Sequence, residues 1–406
     1  MTASSSFLKK RTKKLLIIWG ALDATRASMS KSFCFFFQKE ALACFLCVSL
    51  NAPSIYKGFP PMTEWLIYGA YGYTGELIAR EAAARGLRPI LAGRDTARVA
   101  RLAEELGLPH RAFALGAPAL DGIGLVLNCA GPFSATAAPM IKACLAAGAH
   151  YLDITGEIEV FELAQSLGDQ ARAAGVILCP GVGFDVIPTD CVARALSEAL
   201  PDATHLTLGF QTKAALSPGT SKTTVEGLAK GGRARRDGKI VRTAMGFNTR
   251  VIDFGQGPEV AMAFPWGDVS TAFHTTGIPN IDVFLAVPPA LRWAARLGNV
   301  LGPLLGLGFV QTALKRQAGA VVGPDAAARA AAPSFVWGEA RNDAGVVRTA
   351  RIRTANGYDV TVHGSLAVVA HVLGQNSTEG GCFTPARLCG VDLVTRLPGS
   401  GALSVI

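Results

Sequence analysis

The stretch LIYGAYGYTG, residues 66–75, decides how the first half of this chain is read. An apolar run, Leu66-Ile67-Tyr68, meets three glycines, Gly69, Gly72 and Gly75, and passes into a segment with helical spacing. Gly69 permits a tight turn at a strand end. Gly72 lets the backbone approach a ligand with no Cβ in the way, and Gly75 lets a helix pack close to the strand. The helix start offers unpaired N–H groups and positive potential, which is what a phosphate needs. The spacing is G-x-x-G-x-x-G, and three glycines alone describe a plain strand-to-helix bend equally well. The surrounding sequence has to discriminate.

From residue 62 onward, strand and helix patterns alternate. WLIYGA, RPILAG, HRAFAL, GLVLNCAG, HYLDIT and VILCPG read as strands. Residues 74–85, 95–106, 135–147, 157–174 and 187–200 read as helices, with Asp95 placed to cap the second. Most of these strands are apolar throughout, so both faces are covered. The fold class is α/β: a Rossmann-type doubly wound parallel sheet followed by a second, mixed α+β domain. The texture changes near residue 202. HLTLGFQTK, KIVRTAM, TRVIDFG, EVAMAFPW and IDVFLAV read as strands, and FVWGEARN with VVRTARIRT as a hairpin. Helices are expected at 220–231 and 364–374, with packed apolar helices over 289–311. The expected division is an extension over 1–61, a dinucleotide-binding domain over 62–202 and a substrate and dimerisation domain over 203–375. Residues 376–406 form a C-terminal segment that packs back on the first domain.

Half of the 406 residues are hydrophobic and 17% are charged, a globular composition. Nine Lys/Arg and two acids within 1–61 account for seven of the nine net positive charges. The body therefore carries no basic excess that would call for nucleic acid. Residues 1–61 read either as sequence upstream of a start at Met62 or as a targeting or membrane-surface segment, with apolar runs too short to span a bilayer. The nine cysteines are scattered, mostly in apolar runs, which fits buried thiols in a reducing, cytoplasmic setting. Membrane association through 1–61 or 289–311 is the second expectation. Cys44 and Cys47 have metal-site spacing with no second pair, and the six histidines show no ligand spacing, so no metal is expected.

In this setting the glycine stretch becomes a nucleotide-binding turn. The second strand ends Leu91-Ala92-Gly93-Arg94, with no acid where a ribose-binding carboxylate would stand. Arg94 offers a planar fork for a 2′-phosphate, which points to NADP over NAD, although Asp95 keeps NAD open. The turn Asn128, Cys129, Ala130, Gly131, Pro132 and Phe133 closes the strand beside the topological switch point and suits the ribose and nicotinamide. YLDITGE, from Tyr151, and CPGVGFDVIPTD, from Cys179, close the next two strands, at the edge where open α/β sheets bind ligands. Asp185 and Asp190 equally suit turn or capping roles. The chain has no Tyr-x-x-x-Lys pair, no G-x-S-x-G elbow and no H-E-x-x-H.

YGAYGYTG, LAGRD, NCAGPF, YLDITGE and GVGFDVIPTD, in this order, resemble the saccharopine dehydrogenase-like NADP-binding family, and most closely its trans-acting enoyl reductase-like branch. GGRARRDGKIV, PWGDVSTAFHTTGIPNIDVFLA and GCFTPARLCGVDLVTRLPGSG extend the resemblance from about residue 62 to the end. It implies a nicotinamide cofactor and a second domain over the cleft. Gly69, Ala70, Tyr71, Gly72, Tyr73, Thr74 and Gly75 would cradle the pyrophosphate, Arg94 would meet the adenosine phosphate and residues 128–133 would line the nicotinamide side. One departure is Ala114-Leu115-Gly116, where an acid often follows the third strand.

The expected activity is an NADP-dependent oxidoreductase that reduces an activated C=C bond of a lipid or polyketide-like substrate. Asp185, Glu157, Tyr151 or water would deliver the proton. Thr155, Gly156, Gly183 and Phe184 would touch the substrate, with Trp266, Phe273, Trp293 and Phe309 supplying apolar surface. One alternative is a saccharopine dehydrogenase-like activity on an imine or amino acid, with Arg233, Arg235, Arg236 and Arg242 for its carboxylates. Another is a cofactor-binding partner without turnover, at a synthase or a membrane surface. A homodimer is expected.

Overall fold

The computed structural model describes residues 64–212, 231–288, 292, 323–375 and 379–406. The expectations placed on 1–61, on the pair Cys44 and Cys47, on a helix at 220–231 and on 289–311, with Trp293 and Phe309, lie outside the described residues.

The first domain alternates strand and helix: β1 (Glu64–Tyr68), α1 (Tyr73–Ala84), β2 (Ile90–Gly93), α2 (Thr96–Leu106), β3 (His110–Ala112), β4 (Ile123–Asn128), α3 (Phe133–Ala147), β5 (His150–Asp153), α4 (Ile158–Ser166), α5 (Gly168–Ala173), β6 (Ile177–Cys179) and α6 (Ile187–Ala199). The second continues with β7 (His205–Thr212), β8 (Gly232–Arg236), β9 (Lys239–Thr243), β10 (Thr249–Asp253), β11 (Pro258–Ala263), α7 (Asp268–Thr276), β12 (Asn280–Ala286), α8 (Ala326–Ala330), β13 (Ser334–Arg341), β14 (Val347–Thr354) and α9 (Gly357–Leu373). The last segment adds β15 (Gly381–Cys382), α10 (Pro385–Cys389), a 3-10 turn over Val391–Arg396 and β16 (Ser404–Val405).

Among the described residues, seven strands form one parallel sheet in the order β15-β6-β5-β4-β1-β2-β3. The run in β1 is apolar throughout because successive side chains enter different cores. Ile67 packs with Leu125, Leu127 and Leu152 on one face; Leu66 and Tyr68 pack with Val126 and Leu178 on the other. Truncating a fully buried leucine such as Leu66 to alanine costs about 3 kcal/mol. The chain runs outward from β1 through β2 to β3, then returns to β4 on the other side of β1. That reversal opens a crevice at the carboxyl ends of β1 and β4.

The second sheet runs β10-β11-β12-β7-β13-β14-β16, with β8 joined to β12 and β9. It is mixed: β7 and β12 are parallel and the other neighbours antiparallel. The last segment serves both sheets, since β15 extends the first beside β6 and β16 extends the second beside β14.

Asp95 caps α2 as expected, accepting the Arg98 N–H at 3.1 Å. The helix expected at 157–174 breaks into α4 and α5 at Leu167-Gly168, where Gly168 lies against Cys382 of β15. The helix expected from 364 starts at Gly357, because Asn356 accepts the Tyr358 N–H at 3.0 Å and acts as its N-cap. Strand β8 and helix α7 have no counterpart in the sequence reading. No helix among the described residues is long and apolar enough to cross a membrane.

Candidate dinucleotide site and cleft

Gly69 carries a φ of +80°, and a Cβ there would stand 2.8 Å from the Ala130 nitrogen. The residue is glycine because the turns after β1 and β4 meet at this point. A Cβ at Gly75 would collide with the Gly69 carbonyl, so α1 starts in direct contact with the turn. Gly72 is the N-cap of α1, and no side chain among the described residues caps that end. The first-turn N–H groups and the helix dipole remain available to an anion.

At the end of β2, Arg94 is exposed, with no ion-pair partner among the described residues. Asp95 is engaged in its cap. Tyr71 from the glycine turn lies across the face of Gly93, where a Cβ would stand 2.5 Å from its ring. The Arg98 guanidinium stacks on that ring at 4.4 Å and donates to the Tyr71 carbonyl at 3.2 Å. Arg98 was not singled out in the sequence. Its signal is there: it is a second cation, in the first turn of α2, three residues after the Asp95 cap.

The turn after β4 is held from below. Asn128 is fully buried; its side-chain oxygen accepts the Ala130 N–H at 3.1 Å, and its amide donates to the Tyr151 hydroxyl at 3.3 Å. Tyr151, also fully buried, donates to Asp153 at 2.7 Å. The other oxygen of Asp153 accepts the Thr155 N–H at 3.0 Å and the Gly181 N–H at 2.9 Å. Burial pushes the Asp153 carboxyl up to about 6 against the pull of these donors. Burial also pushes the Tyr151 phenol and the Cys129 thiol up, which keeps both neutral. This chain ties together the ends of β4, β5 and β6. Sequence reasoning misses the role of Asp153, although a buried acid at the carboxyl end of β5 is a signal.

Glu157 has a defined task. Its two carboxylate oxygens accept the N–H groups of Phe133 at 2.9 Å and Ser134 at 2.7 Å, which closes the start of α3. Thr155 is buried, and its hydroxyl accepts the Glu157 N–H at 3.0 Å. The peptide Gly131-Pro132 just before α3 is cis.

Asp185 lies beyond β6, in the loop that leads to α6. Its side chain is partly accessible, touches the face of Gly156 and accepts no hydrogen bond from any described residue. Burial alone pushes the carboxyl up to about 7. Trp266, arriving from the second domain, donates its indole N–H to the Asp185 carbonyl at 2.9 Å. Phe184, Phe210, Trp266 and Phe264 form a continuous aromatic run beside it, with centroids 5.9, 4.9 and 5.6 Å apart along the series. Gly183 and the Phe184 backbone are fixed to α9, where the Thr361 hydroxyl accepts the Phe184 N–H at 3.0 Å. Asp190 accepts the Ala386 N–H at 2.8 Å and the Thr275 hydroxyl, and so joins α6 to α10 and α7. Among the described residues no group of three His, Cys, Asp or Glu side chains could hold a metal.

Residues 65–179 match the family described as the saccharopine dehydrogenase NADP binding domain. Over those residues the first domain is similar to that family. The matched residues include the glycine turn, Arg94 and the 128–133 turn; Asp185 and the aromatic run lie beyond them. Over 150 residues the chain is 33% identical to the human saccharopine dehydrogenase-like oxidoreductase, covering 31% of this chain and 35% of that protein. Over 157 residues it is 33% identical to a Mycobacterium tuberculosis protein named "Putative trans-acting enoyl reductase", covering 34% and 36%. Each match spans little more than a third of the relative. The fold is similar to that of apo saccharopine dehydrogenase (L-Glu forming) from Saccharomyces cerevisiae, with a TM-score of 0.56 at 11% identity, covering 85% of this chain and all of that one.

Proposed function

We propose that this chain is an NADP-dependent oxidoreductase of the saccharopine dehydrogenase-like type, acting on the C=N bond of an imine formed from an amino acid. The observation that carries the reading is Asp185, a carboxyl raised to about 7 that accepts no hydrogen bond from any described residue, at the carboxyl edge of a sheet whose α1 start is open to an anion. The glycine turn would hold the pyrophosphate, Arg94 the 2′-phosphate and residues 128–133 the nicotinamide side. NADPH, when bound, supplies a hydride. The chain's own work is to orient, to exclude water and to keep a proton on Asp185 at neutral pH. Glu157 and Tyr151 act from behind, through the backbone they fix.

A second reading, reduction of a C=C bond in a lipid-like substrate, is favoured by the aromatic run beside Asp185. It is also favoured by the engagement of two arginines that a substrate carboxylate would use. Arg235 is buried on Glu162 at 3.1 Å, and Arg236 is paired with Asp282 at 2.7 Å. A homodimer and a peripheral membrane contact belong to this proposal too, and are tested by solution mass and vesicle flotation of the full chain.

The deciding experiment titrates NADPH and NADH into native protein and Arg94→Ala, then follows NADPH oxidation with 2-oxoacid and amine pairs and with enoyl thioesters. Selective loss of NADPH binding in Arg94→Ala supports the cofactor site, and the responding panel decides between C=N and C=C. Tight binding with neither panel turned over moves the reading to a non-catalytic partner. Asp185 must be protonated to donate, so the reductive rate should fall as pH rises through about 7. Asp185→Asn should lower that rate about 100-fold or more. The raised pKa also stabilises the fold at low pH, and this contribution is lost as pH rises from 3.8 through about 7. Asp185→Asn should therefore be more stable than native near pH 8, by about 2 kcal/mol given its partial access to solvent. Near pH 3 it should match native, which urea titrations at both pH values would measure.

A further inference from the structure

Tyr73 is the first residue of α1, inside the glycine stretch, yet its side chain is claimed by residues some 250 positions later. Its hydroxyl donates to the Pro324 carbonyl at 2.5 Å. Arg329 Nη1 stands 3.4 Å from the same hydroxyl and donates to the same carbonyl at 3.3 Å. Arg329 Nε donates to Asp359 at 2.8 Å, with the arginine side chain only 15% exposed. The Tyr73 ring meets the edge of Tyr358 at 5.1 Å, and Gly323 lies so close that a Cβ there would collide with the ring. Asp325 caps α8 through the Ala328 N–H at 2.8 Å, which fixes the turn that carries Arg329.

We infer that Tyr73 and Arg329 are positioning residues: a clasp by which residues 323–330 of the second domain hold the phosphate-binding turn in its anion-accepting shape. The physical reason is local. The open N–H groups belong to the first turn of α1, and their direction follows the backbone at Tyr73. A side chain anchored at its far end by a carbonyl, a guanidinium and an aromatic edge limits how that backbone can rotate. Filling space needs only the ring, whereas here the hydroxyl is bonded as well. The coupling has to run both ways. If the clasp favours the binding-competent turn, a bound dinucleotide must tighten the clasp by the same factor.

The inference rests on the cofactor reading above, and its test separates the two. Backbone hydrogen exchange of the full-length protein is followed at residues 323–332 with and without NADPH, alongside NADPH titration of native protein, Tyr73→Phe, Arg329→Ala and Arg329→Lys. The expected result is slower exchange at 323–332 in the native protein with NADPH. Tyr73→Phe keeps the ring, so it should fold; it should bind NADPH roughly tenfold more weakly and lose the cofactor-dependent slowing. Arg329→Lys should recover part of what Arg329→Ala loses. The clasp is overturned if Tyr73→Phe binds NADPH as native does, or if NADPH binds native protein without altering exchange at 323–332. Native protein that fails to bind NADPH overturns the cofactor reading and the clasp together.

Discussion

Two helices start at the same edge of the first sheet, and they solve the same problem in opposite ways. Both α1 and α3 present first-turn N–H groups with no helical acceptor. At α3, Glu157 reaches across from the next loop and bonds two of them. At α1 the N-cap is a glycine, which brings no side chain of its own, and no described residue bonds those groups from another element. A carboxylate and a phosphate are alike to a helix start, since each is an anion with acceptor oxygens. The closed start shows what the open one lacks. One anion belongs to the chain and makes a rigid turn; the other has to come from outside.

The contrast can be broken most severely at Gly69. Gly69→Ala places a side chain at positive φ and against the Ala130 backbone, so it should cost about 3 kcal/mol or more in urea unfolding and abolish NADPH binding. Gly72→Asp makes the open start resemble the closed one. Its φ of −77° suits any residue, but a Cβ would stand 3.2 Å from the Gly69 carbonyl, so stability should fall by about 1 kcal/mol while NADPH affinity falls about 100-fold, as calorimetry would show. Glu157→Ala makes the reverse change, opening α3 at a cost of about 2 kcal/mol. Sulfate should restore part of that loss in thermal melts of the variant and leave the native melt nearly unmoved. The smallest effect sharpens the picture at the adenosine end. Arg98→Ala removes the cation stacked on Tyr71 and its bond to the Tyr71 carbonyl, so NADPH and NADH should both weaken by about threefold, in contrast to the selective loss in Arg94→Ala.

What could be read in advance follows from how far each feature depends on distant residues. The parallel sheet was legible because strands buried on both faces carry continuous apolar runs, as Trp65–Tyr68 of β1 and Leu125–Leu127 of β4 do. The glycine turn was legible because its reason is local: a strand, a bend and a helix start within ten residues. The task of Glu157 was not, since its partners at Phe133 and Ser134 lie on another element and only the fold brings them together. Trp266 read as one apolar residue among several, and nothing in its neighbourhood announces a hydrogen bond to the Asp185 carbonyl. The clasp on Tyr73 was hidden for the same reason: Tyr73 was assigned to the cofactor because of where it stands, while its side chain answers to Pro324 and Arg329.

The two short strands near the end of the chain bear on the order of assembly. β15 pairs with β6 across some 200 residues of sequence, and β16 closes the far edge of the other sheet. While the chain is being synthesised, both sheets therefore wait with a bare edge until their last neighbours emerge. Contacts of such long separation form late and slowly. An exposed edge invites pairing with other chains. A chaperone that shields β6 and β14 during that interval would be protecting this protein at the stage when aggregation threatens it most.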